Sequence, residues 1–181
     1  VAKSTKKSVA IFSLEMSAEQ LVTRIISSEA LVDSRSLRTG DLKPEDWNNI
    51  VDVISTLSGT DIYIDDTSAI TSTEMKSKLR RIKNLGLVVI DYLGLMQSTT
   101  TTDNRAQQVG EISRGLKLMA KDLGIPIVCC AQLNRGTESR PGVGKKPTLA
   151  DLRDSGSIEQ DADIVLFLYR DEYYKDIAGS S

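Results

Sequence analysis

Three polar residues stand at the ends of apolar runs. Leu87-Val88-Val89-Ile90 leads into Asp91, the run from Val9 leads into Glu15, and the run from Ile127 leads into Gln132. Apolar runs of this length read as buried strands, here with both faces covered. In a parallel sheet the C-terminal strand ends share one edge, and that edge is where open α/β sheets place ligands. A carboxylate there can hold a magnesium ion, usually through water. A second carboxylate can polarise an attacking water, and an amide can sense a terminal phosphate and relay its loss to the loop behind it. The chemistry these types suit is phosphoryl transfer, with Asp91 as the metal residue and Glu15 and Gln132 as the catalytic ones. An acid at the position of Asp91 also suits a cap or turn after a strand.

The rest of the composition narrows the field. The chain has 181 residues, enough for one domain with a real core. It has no histidine, which removes Ser-His-Asp and Cys-His catalysis and histidine-bearing zinc sites. No apolar run is long enough to span a membrane, and none reads as a secretory h-region. Cys129 and Cys130 are adjacent inside an apolar run and read as small core residues in a reducing compartment. The net charge of −2 announces no nucleic-acid partner globally. Locally, Arg135, Arg140, Lys145 and Lys146 face only Glu138 between residues 135 and 150, an excess of +3.

These strand ends need a scaffold, and strand and helix patterns alternate from Val9 to Tyr169. Val1 to Ser8 reads as the end of something upstream. Ser17 caps a helix through Ala30 with Leu21, Val22, Ile25 and Ile26 on one face. Leu31 to Lys43 reads as irregular. Pro44 opens a helix whose buried stripe is Trp47, Ile50, Val51, Ile54 and Leu57. Asp61 to Asp66 is a short strand. Thr71 to Glu74 is a capping box opening a helix with Met75, Leu79 and Ile82 inward and a solvated basic face. Ser98 to Asp103 reads as a mobile loop with few anchors. Asp103 or Asn104 caps the next helix, with Val109, Ile112, Leu116, Met119 and Leu123 inward and Gly124 at its end. Ile127 to Gln132 is a buried strand, Leu133 to Leu149 a long loop, and Ile164 to Tyr169 the last strand. The pattern implies an α/β fold with a mostly parallel sheet and helices on both faces.

Six segments carry a resemblance: FSLEMSAEQL (12–21), LRTGDL (37–42), IYIDDT (62–67), VVIDYLGLM (88–96), AQLNRG (131–136) and LRDSGSIEQDADIVLFLYRD (152–171). With them the chain resembles, over nearly its whole length, the C-terminal ATPase domain of bacterial replicative DNA helicases of the DnaB type. The resemblance implies a RecA-like three-layer α/β/α fold with a mostly parallel twisted sheet. It implies a cytoplasmic homo-hexamer that hydrolyses ATP with magnesium, moves along single-stranded DNA and works with a primase and a helicase loader. Glu15 matches the family's catalytic glutamate, Asp91 its magnesium-associated acid and Gln132 its sensor glutamine. Arg153, Asp154 and Gly156 lie in a turn that resembles the family's DNA-gripping loop, and Lys145 and Lys146 belong to the basic stretch before it. Main-chain N–H groups would supply most of that grip, which suits a chain without net positive charge.

The chain also departs from the family. The phosphate-cradling pattern GxxxxGK[ST] is absent; GVGKK (142–146) has Lys146 where Ser or Thr is needed. The expectation is a partial domain, lacking the upstream phosphate loop and the downstream arginine-finger strand, and inactive alone. Gly94 stands where the family commonly has glutamine. Two other readings share the strand-end acids or the missing loop: another RecA-like recombination or repair ATPase, and a non-catalytic interaction module of a replication complex.

Overall fold

The structure, a computed structural model, describes residues 1–133 and 146–170, with residues 153–155 described by backbone alone. Four parallel strands form one sheet in the order β2-β1-β3-β4: β1 (Ser8–Ser13), β2 (Ile62–Asp65), β3 (Leu85–Asp91) and β4 (Ile127–Cys129). The connection from β1 runs to one neighbour and the connection from β2 crosses back to the other. The strand order therefore switches between β1 and β3, and there the register sets Ser13 beside Asp91.

Helices fill the connections. After the short α1 (Ala2–Thr5) and β1 come α2 (Ala18–Ala30), α3 (Ser34–Thr39) and α4 (Pro44–Ser58); α5 (Ser72–Leu79) precedes β3, and α6 (Arg105–Leu123) precedes β4. Local chemistry sets their ends. Ser17 and Gln20 form a reciprocal capping box on α2, and Thr71 and Glu74 form one on α5. Asn104 Oδ1 accepts from the Ala106 and Gln107 amides at the start of α6. Gly124, at φ +65°, ends α6 with its amide on the Ala120 carbonyl, a left-handed conformation that glycine takes without strain.

The core lies between one face of the sheet and α5 and α6. Phe12, Val88 and Ile90 from the strands pack with Met75, Leu79, Ile112 and Met119, all nearly inaccessible. Fully burying side chains of this size stabilises the fold by roughly 1.5–3 kcal/mol each. Gly115 lets the two helices approach: a Cβ there would stand 2.8 Å from Ser72 Oγ. A smaller cluster, Ala30, Val32 and Ile50, holds α2, α3 and α4 together.

Several expectations change here. The segment 31–43 is not irregular throughout, because Asp33 caps α3 by accepting from the Arg35 and Ser36 amides. The stripe on α4 splits. Ile50 is buried and Val53 and Leu57 half-buried, whereas Trp47, Val51 and Ile54 are exposed, at 55%, 61% and 46%. The exposed stripe lies about 100° round the helix from the inner one, so the helix has apolar residues over more of its surface than its neighbours cover. Val22 is likewise exposed. In β3 only Val88 and Ile90 are buried, while Leu87 and Val89 are half-buried. β4 is shorter than expected, with Ile127 and Cys129 half-buried and Val128 exposed, and Cys130 beyond it is exposed. Among the described strands it lies at the edge and has one paired neighbour.

Ile164 to Tyr169 runs without a β-ladder among the described residues, and Ile164, Leu166 and Leu168 are exposed. Its β-branched and aromatic residues give it strand propensity, but no ladder joins it to the described strands. The run 156–161, read as part of a turn, instead forms the short α7 (Gly156–Asp161) after a 3-10 stretch, Leu149–Ser155.

Candidate active site

The backbones of Glu15, Asp91 and Gln132 come to the same edge of the sheet. Asp91 is the last residue of β3. The Leu14 amide donates to the Asp91 carbonyl at 2.8 Å, which sets Glu15 one residue beyond that bond at the switch between β1 and β3. The Cys130 amide donates to the Ile90 carbonyl and the Leu93 amide to the Cys130 carbonyl, both at 2.9 Å, so the chain leading to Gln132 follows β3 past its end. Asp91 is half-buried, and Glu15 and Gln132 are exposed. No hydrogen bond or ion pair engages these three side chains among the described residues, so their polar atoms are open to a ligand.

The bend that presents Glu15 is fixed from two sides. Ser13, buried, donates from Oγ to the Met16 carbonyl at 2.8 Å. Asp66, just beyond β2, accepts from the Ala18 amide at 2.9 Å, so one strand end clamps the helix that follows its neighbour. Asp65 beside it bonds to Lys78 and to the Thr67 amide. Burial alone would raise the Asp65 carboxyl, but hydrogen bonds from Lys78 and Thr67 and the Lys78 charge outweigh it and hold the group below the usual carboxylate range. The sequence marked this strand end as acidic; the partners, which lie 13 and 48 residues away, carry no sequence signal.

Beyond Asp91, joined to Tyr92 by a cis peptide bond, the chain makes a 3-10 turn, Leu93–Leu95. Gly94 has a local reason: a Cβ there would meet the Tyr92 ring at 2.7 Å, and Arg105 Nη2 donates to the Gly94 carbonyl. Cys129 and Cys130 are both free thiols. Burial, with the neighbouring Cys130 adding to it, pushes the Cys129 thiol up to about 12, which makes it inert as a nucleophile at neutral pH.

The loop after this turn is anchored, contrary to expectation. Glu111 on α6 accepts from Ser98 Oγ, from the Thr99 amide at 3.0 Å and from Thr99 Oγ1 at 2.6 Å. Thr102 adds bonds to Gln107 and Gln108. Hydrogen bonds from Ser98 and then Thr99 hold the Glu111 carboxyl below its ordinary range. A carboxyl lowered by folding stabilises the fold above the ordinary glutamate pKa of about 4.3, and that contribution is lost as pH falls through the lowered value. The Thr99 amide signal in an acid titration by NMR should therefore move with a midpoint below that of a free glutamate. In Glu111→Gln the transition should vanish; its persistence would assign it to another group.

The second group of candidates lies around α7. Arg153 and Asp154 fall in the 3-10 stretch, their side chains outside the described residues, as is Lys145 and most of the 142–146 run. Lys146 is exposed. The 3-10 stretch is held from inside. Asp151, buried, accepts from the Thr148 amide at 2.7 Å and from its hydroxyl at 2.9 Å, and Leu152 is buried beside it. Gly156 opens α7 at φ −51°, ψ −21°, and among the described residues a Cβ there would meet nothing within 4 Å. Neither backbone conformation nor internal packing requires glycine at that position. Among the described residues no group of three or more carboxylate or thiol side chains could hold a metal alone.

Known proteins match this arrangement. The sequence model of the family described as DnaB-like helicase C terminal domain matches residues 1–180. The replicative DNA helicase DnaC of Bacillus subtilis is 52% identical over 96% of this chain, and the replicative DNA helicase DnaB of Geobacillus stearothermophilus is 51% identical over the same share. The chain spans 39% of the length of each of these relatives. Among solved structures, the ATPase domain of G40P superposes with a TM-score of 0.90 at 35% identity, over 97% of this chain and 64% of that one. A DnaB-like replicative helicase described with its interactions with primase gives the same score and identity, over 96% of this chain and 43% of that one. A parallel α/β sheet with strand ends set in this way, and a family match over nearly every residue, give one conclusion: the chain belongs to the DnaB-like helicase C-terminal domain family.

Proposed function

We propose that residues 1–181 form part of the ATPase domain of a hexameric replicative DNA helicase, which couples ATP hydrolysis to movement on single-stranded DNA. The observation that carries this reading is the pairing of Glu15 and Asp91 at the carboxyl ends of β1 and β3, where the strand order switches. Asp91 would hold magnesium through water, its carboxylate being half-buried and free of protein hydrogen bonds among the described residues; the ion, when bound, would offset charge building on the γ-phosphate. Glu15 orients the attacking water and accepts its proton. Gln132 senses the γ-phosphate from the start of the connection that leads to the turn at Gly156. That turn and the basic stretch with Lys145 and Lys146 hold DNA. The relative described with its interactions with primase supports primase as a partner; a homo-hexamer and a helicase loader follow from reading the chain as part of a replicative helicase of this family. No helix among the described residues is long and apolar enough to cross a membrane.

This reading makes a division between the 181 residues and the whole protein. The pattern that cradles the β- and γ-phosphates, backbone amides plus a lysine, is missing from the sequence. Asp91 alone repels a free triphosphate. Calorimetry on the 181-residue chain should give no micromolar ATP–magnesium affinity, and the full-length protein should hydrolyse ATP faster when single-stranded DNA is added. Micromolar binding by the chain alone would reveal another phosphate site. A full-length protein indifferent to DNA would favour the interaction-module reading.

A further inference from the structure

Asp161 and Asp163 have no part in the nucleotide chemistry or the DNA contacts proposed above, and their side chains reach α6. Asp161 Oδ2 accepts from Ser113 Oγ at 2.8 Å, and its other oxygen lies 3.5 Å from Arg114 Nη1. The Asp161 side chain is 13% exposed and Ser113 is buried, so solvent screens this interaction less than a surface pair. Asp163 forms an ion pair with Lys117 in a more exposed position. At Gly110 the helices come so close that a Cβ would stand 3.1 Å from Ser157 Oγ. Gly110, Ser113, Arg114 and Lys117 fall at positions i, i+3, i+4 and i+7 and make one face of α6, along which α7 lies. The first half of the same helix carries the Arg105 bond to Gly94 and the Glu111 clasp on Ser98 and Thr99. One continuous helix thus holds both the loop that leaves the Asp91 edge and the turn that leads into Gly156.

We propose that Asp161 is a positioning residue for the response to DNA. Gripping Ser113 and Arg114 from the end of α7, it ties α7, which begins at Gly156, to α6, so that a movement of the Asp91 edge reaches the turn through α6 and α7. The route is separate from the connection that starts at Gln132. The inference rests on the helicase reading and deepens it.

The test is ATP turnover by the full-length protein across a titration of single-stranded oligonucleotide. Asp161→Ala should leave kcat and KM for ATP without DNA near wild type. The DNA concentration for half-stimulation should rise about five- to tenfold, and the stimulated maximum should fall, as removal of a coupling interaction predicts. Asp163→Lys should shift the curve the same way by less, because that pair is exposed. Adding Lys117→Asp to it should restore the curve. Charge-swap rescue is a result that a packing role alone would not give. If Asp161→Ala fails to assemble, Arg114→Ala removes the partner of Asp161 from an exposed side chain and should shift the DNA curve alike, an unchanged curve overturning the proposal. An unchanged DNA curve in folded Asp161→Ala would overturn the proposal. So would equal loss of basal and stimulated turnover alongside a lowered Tm, or a swap that rescues nothing. If wild-type turnover ignores DNA, the helicase reading falls and this inference with it. If wild type responds and the variants match it, this inference alone falls.

Discussion

Glu15→Gln in the full-length protein should bind nucleotide almost as wild type does and hydrolyse it about 10²–10⁴-fold more slowly, the usual worth of a positioned general base. Glutamine keeps the size and the hydrogen-bonding oxygen but cannot take the proton from the attacking water. The geometry argues that binding survives. Glu15 is exposed beyond β1 and makes no hydrogen bond among the described residues, so its carboxylate holds no part of the fold. The bend that presents it depends on Ser13 and Asp66 instead. Single-turnover hydrolysis with nucleotide saturating separates the two effects. Turnover within a few-fold of wild type would remove Glu15 from the catalytic role.

Gly156→Val should weaken single-stranded DNA binding and abolish the stimulation of hydrolysis by DNA. Among the described residues the substitution meets open space and an ordinary helical φ, so neither opposes folding. Valine at the opening of α7 would hold a phosphate backbone away from the main-chain N–H groups of the turn. Neutralising Lys145 and Lys146 should act differently. Affinity should drop uniformly across DNA sequences, and the log–log salt slope should flatten by about one unit for each phosphate no longer neutralised. Salt-titrated anisotropy with a labelled oligonucleotide distinguishes the cases. A folded, hexameric Gly156→Val variant with unchanged affinity and slope would mean that this turn does not touch DNA.

What could be read in advance follows the range of each interaction. The place of Asp91 at the end of a strand was legible because an apolar run and the residue that ends it are adjacent. The helix ends at Ser17, Thr71, Asn104 and Gly124 were legible because caps act over three or four residues. The Glu111 clasp was not, since Ser98 and Glu111 are 13 residues apart and a threonine-rich stretch alone reads as loose. The same distance limit hid Asp66 on Ala18 and Asp161 on Ser113, each 48 residues from its partner. On α4 the helical period was right, but periodicity cannot say which of two apolar stripes finds neighbours. At Ile164 to Tyr169 propensity outran pairing, because a ladder needs a second strand.

Trp47 is the only tryptophan in the chain, and it stands more than half exposed on the outer stripe of α4. Its fluorescence therefore reports on the surface of one helix and not on the core. Folded chain should already emit close to the wavelength of an indole in water, and denaturant should shift that emission little. The same indole would move to shorter wavelength when anything apolar settles over Val51 and Ile54, which makes the native sequence its own optical probe for that face.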